Sequence, residues 1–194
     1  MRVYTKEEIE WNGAAIMDAA LDGALFIYPT DTIYGFGCNA LDTKAVARLK
    51  QAKQKPKDSS LSVIVPSKEW VYEHCEVSKE AQRWIDKLPG PYMLILSLKN
   101  TNAVSKEVSA SGTLAIRIPN HWISGFVREL GVPLVMTSAN INGKMVMTSL
   151  ESLDHELKKG VNFLMYEGEK WGKPSQTIDV TKVGSPPQEN RKKG

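Results

Sequence analysis

The chain has no apolar run near the roughly 20 residues that span a bilayer as a helix. Its opening, MRVYTKEEIEW, lacks the apolar core of a secretory signal. Both absences lead us to expect a cytoplasmic protein. Cysteine and histidine are scarce, with 2 and 3 copies. Cys38, Cys75, His74, His121 and His155 show no metal-ligand spacing, and adjacent His74 and Cys75 read as two ordinary side chains. A structural disulfide is not expected in a reducing compartment. The glycine and lysine spacings of a P-loop or a dinucleotide fingerprint are missing. No Ser-His-Asp arrangement, paired catalytic carboxylates or zinc motif is legible. There is no internal repeat and no low-complexity segment.

What is present suits one sizeable domain: 194 residues, 42% hydrophobic and 24% charged. A net charge of +3 does not by itself indicate nucleic-acid binding. The positive charge is clustered, however. Lys50, Lys53, Lys55 and Lys57 lie close together, and Arg191, Lys192 and Lys193 close the chain. Such runs also fit a solvated helix face and a frayed tail.

Periodicity and end signals predict the elements. Thr5 and Glu8 form a capping box for a helix over 6–22 with Ile9, Gly13, Ile16 and Ala20 on one face. Ala24 to Tyr28 reads as a buried strand. Asp42 caps a second helix that Pro56 stops. Leu61 to Val65 is a strand, and Ser78 opens a third helix that Pro89-Gly90-Pro91 breaks. Tyr92 to Leu98 and Leu114 to Ile118 are strands. Ile123 to Leu130 is a helix ending at Gly131, and Leu134 to Met136 is a strand end. Thr148 and Glu151 form another capping box, predicting a helix with Leu150, Leu153 and Leu157. Val161 to Met165 and Thr177 to Val180 complete the strands. The alternation favours an α/β fold with helices covering a mixed sheet. Residues 1–182 read as one domain and 183–194, with Pro186-Pro187 and then charge, as an extended basic tail.

Four polar clusters interrupt the apolar strands, where α/β sheets commonly place ligand sites. In Tyr28-Pro29-Thr30-Asp31-Thr32-Ile33-Tyr34-Gly35-Phe36-Gly37, hydroxyls and free N–H groups suit an anion; a tight turn capped by Asp31 suits the same residues. Lys53 and Lys55 leave a helix end, where two ammonium groups fit a triphosphate or simply a helix C-terminus. Thr113 and Arg117 share an apolar strand. Arg117 can fork a carboxylate or face outward. Thr137-Ser138-Ala139-Asn140 fits a ligand-binding loop or a turn. Ser175, before the last strand, is equally open.

At these residues the sequence resembles the YrdC/YciO-like family of threonylcarbamoyl-AMP synthases. YPTDTIYGFGCNALD resembles the family's opening signature. LKQAKQKPKDSSLSVIV is similar to its K-x-R-P segment and following strand, LPGPYMLIL to its P-G-P turn, and GTLAIRIPNH to its T-x-x-x-R-x-P strand. TSANINGK and KPSQTIDVT follow in the family's order. The resemblance implies a twisted α/β sheet with a positively charged concave face. It implies a reaction of L-threonine, bicarbonate and Mg2+-bound ATP, giving threonylcarbamoyl-AMP and pyrophosphate for tRNA modification. A downstream threonylcarbamoyl-transferase complex would then act, and tRNA is a further partner. By the same resemblance, Thr30, Thr32, Arg117 and Ser175 hold threonine. Lys53, Lys55, Thr113, Ser138 and Asn140 face ATP, with Lys53 and Lys55 catalytic, and Arg191 or Lys192 matches the family's late basic residue that reaches ATP.

Three positions depart from the family pattern. Lys55 stands for an arginine and loses its planar fork, Met93 for a threonine, and Asn142 for a serine. Two other readings remain at this stage. One is an RNA-binding module without synthase activity, recognisable by salt-sensitive tRNA binding. The other is a diverged YciO-like paralogue.

Overall fold

The structure is a computed structural model that describes residues 1–181 and the backbone of 188–190. The Thr5–Glu8 box forms in both directions, at 2.8 and 3.3 Å, and opens helix α1, Lys6–Leu21. Gly23 ends this segment with φ +84°, a conformation that favours glycine. Asp42 caps α2, Thr43–Ala52, by accepting from the N–H groups of Lys44 and Ala45. Ser67 and Ser78 cap α3, Lys68–His74, and α4, Lys79–Ile85. Helix α5, Ile123–Leu130, ends on left-handed Gly131.

The predicted helix after Thr148 does not form. Ser152 Oγ takes the N–H groups of Thr148 and Ser149, both at 2.9 Å, which folds 148–153 into turns. Asp154 then caps the helix that does form, α6, His155–Lys159. A local serine turn and a better-placed aspartate therefore override the Thr148–Glu151 signal.

Among the described residues, ten strands form one mixed sheet in the order β1-β8-β2-β3-β7-β4-β6-β5-β9-β10. They are β1 Arg2–Tyr4, β2 Phe26–Tyr28, β3 Gly35–Gly37, β4 Ser62–Ile64, β5 Tyr92–Ser97, β6 Thr113–Arg117, β7 Leu134–Ser138, β8 Phe163–Met165, β9 Gln176–Asp179 and β10 Gln188–Asn190. β4 runs parallel to β6 and antiparallel to β7. β10 pairs antiparallel with β9, so part of the stretch expected to be a tail continues the sheet. Arg191 and the rest of 182–187 and 191–194 lie outside the described residues.

The two sheet faces are covered unequally. On one, Ala45, Val46 and Leu49 of α2, Val71, Ile85 and Leu157 pack on Leu94, Leu114, Ile116, Val135 and Ile178. On the other, Ile16 and Ala20 of α1 and Ile123 and Val127 of α5 pack on Phe26, Tyr28, Leu134 and Phe163. Each valine, leucine, isoleucine or phenylalanine among them contributes about 1.5–3 kcal/mol on full burial. The second cluster covers β8, β2 and β7 and reaches Ile64 of β4, with Met93 of β5 at its margin. On the rest of that face, Ser62, Ile95, Thr113, Ala115, Ser138, Thr177 and Asp179 are half-buried, alternating with buried Leu94, Leu96, Leu114, Ile116 and Ile178. Period-two alternation places those half-buried positions on one side of the sheet. Direct pairs confirm it: Ser62 lies opposite both Met136 and Ala115, and Ala115 opposite Ile95.

Candidate active site

Arg117 breaks that alternation. It sits on the half-exposed side, yet it is 1% exposed. The cause is the β2–β3 loop, which folds over it. Arg117 Nη2 donates to Asp31 Oδ1 at 2.5 Å, Nη1 to Thr32 Oγ1 at 2.9 Å, and Nε to the Gly90 carbonyl at 3.2 Å. Asp31 Oδ2 also accepts from the backbone N–H of Asn120 at 3.0 Å. Burial lowers the Arg117 pKa and the Asp31 carboxylate opposes that shift; an arginine stays charged through either.

Thr30 builds the loop that carries Thr32. Its hydroxyl accepts from the N–H of Thr32 at 3.1 Å and of Ile33 at 3.2 Å, and donates to the Ile33 carbonyl at 2.7 Å. The structure thus brings Thr30, Thr32 and Arg117 together, and commits the Thr30 hydroxyl to the turn. Asp31, taken from sequence as a turn cap, is the counter-charge of Arg117 instead. The Pro89-Gly90-Pro91 turn has a parallel job. Its prolines offer no N–H, while Gly90 gives its N–H to the Ile118 carbonyl at 2.9 Å and its own carbonyl to Arg117.

Gly35 and Gly37 correct another expectation. Their backbone does not line an anion site, because both lie in β3, paired to β2. A Cβ on either would lie under 3.0 Å from the Tyr28 ring, and one on Gly37 would strike the Val135 carbonyl. The glycines give that ring room, so that Tyr28 donates to the Val135 carbonyl at 2.8 Å.

Lys53 is the C-cap of α2 and is 3% exposed. It reaches round the end of β7. Its Nζ meets the carbonyls of Ser138 at 2.6 Å and Asn140 at 2.9 Å, Asn140 Oδ1 at 2.6 Å, and Ser138 Oγ at 3.3 Å. Asn140 Nδ2 donates to the Lys144 carbonyl at 2.6 Å, fixing the amide. The backbone N–H of Asn142 bonds the Lys53 carbonyl at 2.9 Å while residue 142 is exposed. The asparagine at this position therefore leaves the supporting contact unchanged. Lys55 is half-buried on the following loop, its N–H on the Lys50 carbonyl at 2.9 Å. Thr113 lies on the open side of β6, its hydroxyl 3.0 Å from Ser111 Oγ, and is not hydrogen-bonded to the Lys53 cluster.

Ser175 immediately precedes β9, whose first residue meets the Pro89-Gly90-Pro91 turn. Gln176 N–H bonds the Pro91 carbonyl at 2.9 Å, beside Gly90. Gly172, missed from sequence, packs on the other side. A Cβ there would lie 1.9 Å from the Thr32 carbonyl oxygen, so 172–175 runs as a strap from Thr32 to Pro91. Glu167, in the segment leading to the strap, latches that segment to the start of α5, taking Trp122 Nε1 at 2.6 Å, His121 at 2.8 Å and Lys170 at 2.5 Å.

The model of the Sua5/YciO/YrdC family, described as telomere recombination, matches residues 18–192. The chain belongs to this family. A provisionally named threonylcarbamoyl-AMP synthase of Methanocaldococcus jannaschii is 37% identical over 163 residues, 82% of this chain and 76% of that protein. The structure of P. abyssi Sua5 complexed with L-threonine superposes with a TM-score of 0.84 at 31% identity, over 96% of this chain. The chain spans 55% of that protein's length. E. coli YciO shares the fold, with a TM-score of 0.83 at 23% identity over 98% of this chain and 93% of that one.

Proposed function

We propose that this protein is an L-threonylcarbamoyladenylate synthase. The observation that carries the reading is a shared open sheet face with a buried cation at each end. Ser138, which holds Lys53, lies on the same side of the sheet as Arg117. Two strand spacings and four residues separate them, a diagonal of roughly 16 Å at ~4.8 Å per strand and ~3.3 Å per residue. That length accommodates an amino acid beside a triphosphate. The relative solved with L-threonine and the family membership of residues 18–192 support the same assignment.

In this reading threonine's amine captures carbon dioxide from bicarbonate. A carbamate oxygen then attacks the α-phosphorus of ATP and pyrophosphate leaves, so that L-threonine, bicarbonate and ATP give threonylcarbamoyl-AMP, pyrophosphate and water. Displacement at phosphorus needs positioning and charge neutralisation rather than a protein nucleophile. Arg117, Thr32 and Ser175 hold threonine, with Thr30 shaping the loop. Lys53, Lys55, Thr113, Ser138 and Asn140 serve ATP, with Arg191 as the late basic partner. Among the described residues no trio of His, Cys, Asp or Glu side chains gathers to hold a resident metal. In this reading magnesium enters as part of the ATP substrate. The product would pass to a threonylcarbamoyl-transferase system acting on tRNA in the cytoplasm.

The test is pyrophosphate release by purified protein with Mg–ATP, L-threonine and bicarbonate. Release that needs both threonine and bicarbonate, and that serine does not replace, is the expected result. No release from folded protein would move the assignment to a YciO-like paralogue, whose fold this chain matches equally well.

A further inference from the structure

Arg117 poses a problem for any ligand. At 1% exposure it offers no open surface, and its Nη2, Nη1 and Nε are bonded to Asp31, Thr32 and Gly90. The Asp31 side chain is 17% exposed. It is the partner on the solvent side of the pair, and it keeps a second bond, Oδ2 to the Asn120 N–H at 3.0 Å, that does not involve Arg117. Three of the five Arg117 N–H groups are thus engaged, and a carboxylate arriving from the solvent side meets Asp31 Oδ1 first, the group whose place it takes. Expelling a carboxylate from a buried guanidinium leaves its own charge uncompensated, which is expensive unless a cation arrives with the newcomer.

An α-amino acid carries that cation. We propose that Asp31 is the ammonium-binding residue of the threonine site, and that threonine binds by ion-pair exchange. The substrate carboxylate takes Arg117 Nη2, and the released Asp31 Oδ1 takes the substrate ammonium. The Arg117–Asp31 pair of the empty site and the zwitterion are complementary, so the exchange leaves neither protein charge without an opposite partner. Asn120 anchors Asp31 throughout. The proposal rests on the threonine reading above and adds a residue to it.

Calorimetric titration separates the two. The ligands are L-threonine, (R)-3-hydroxybutyrate, which lacks the amine, and L-threonine methyl ester, which lacks the carboxylate. Wild-type protein is expected to bind each single-ended ligand at least ~30-fold more weakly than L-threonine, the scale of one lost buried charge partner. In D31N the preference for threonine over hydroxybutyrate is expected to collapse towards unity, and in D31E to persist. Equal weakening of both ligands in folded D31N, with the preference intact, would make Asp31 a mere support for Arg117 and overturn the proposal. If D31N does not fold, the wild-type series decides: either analogue binding as tightly as threonine overturns it. No binding of L-threonine to the wild type removes the functional reading first, and this inference with it.

Discussion

The molecule buries two cations beside one open face and treats them differently. Arg117 is matched by a carboxylate, Asp31, and lies in a regular strand. Lys53 sits at a helix end and is wrapped by oxygens of Ser138 and Asn140, two of them backbone carbonyls. A guanidinium paired with a carboxylate is a preset ion pair, suited to exchange with another carboxylate. An ammonium held among carbonyl and amide oxygens instead ties a loop to a helix, so that loop and charge are positioned together. The comparison predicts that the two residues fail in different ways.

Lys53→Met should give the largest effect. Turnover is expected to fall roughly 10^2- to 10^3-fold, as on losing a pre-organised charge donor, while L-threonine affinity measured by calorimetry stays near wild type. A parallel loss of threonine affinity would erase the distinction between the clusters. The burial of Lys53 adds a stability term that its place in the sequence did not suggest, about 1–3 kcal/mol for each oxygen left without a donor.

Arg117→Met comes next. It should remove threonine binding and destabilise the fold by about 3 kcal/mol, the low end for breaking a buried pair, because Asp31 is partly open to water. Removing both charges should be milder than removing one. Urea denaturation is expected to find R117M/D31N more stable than R117M, whereas strictly additive losses would mean that the pair is not coupled.

These expectations also mark what the residues disclosed before any coordinates. Helices with a capping side chain and a clear apolar stripe were legible, as with Thr5, Asp42 and Ser78, because those signals are local. The buried strands were legible from apolar runs of four to seven residues. Two failures are local, helix α3 behind its Ser67 cap and the turn after Thr148, and the others are non-local. Gly35 and Gly37 looked like turn residues, and only the Tyr28 ring and the Val135 carbonyl explain them as strand. Thr148 and Glu151 carried a valid box, but Ser152 Oγ takes the Thr148 N–H and Asp154 caps a later helix on Glu156 and Leu157. In the site, residue types with obvious charge were found. Asp31 was assigned to a turn because its partner lies 86 positions away, and Gly172 has no side chain to draw notice. The residues of the YrdC-like motifs supplied the substrate class, which no spacing in the chain could.

Gly172→Ala sharpens the comparison at smaller cost. Its Cβ would meet the Thr32 carbonyl at 1.9 Å, so the strap or the Thr32 loop must shift, with overpacking of about 1–3 kcal/mol. The displaced group belongs to the Arg117 cluster alone. Steady-state kinetics should therefore show KM for threonine raised several-fold and KM for ATP unchanged. A change confined to ATP would show that the strap serves the Lys53 cluster.

The smallest effect lies in the latch on the segment leading to that strap. Burial lowers the His121 pKa below its ordinary 6.5, against the opposing pull of Glu167. Glu167 is itself lowered: burial pushes it up, but hydrogen bonds from Lys170, Trp122 and His121 outweigh that. For both groups the unfolded chain binds protons more readily than the folded one, so stability rises with pH. The His121 contribution is complete above its ordinary value and is lost as pH falls through the lowered one; that of Glu167 follows at lower pH, below about 4.5. Wild-type Tm should therefore drop between pH 7 and pH 5 by more than the Tm of His121→Gln, which keeps a polar side chain and does not titrate there. Equal drops would mean that the latch does not respond to pH in that range. A fall in threonine affinity without a fall in ATP affinity over the same range would place the loosening at the Thr32 strap.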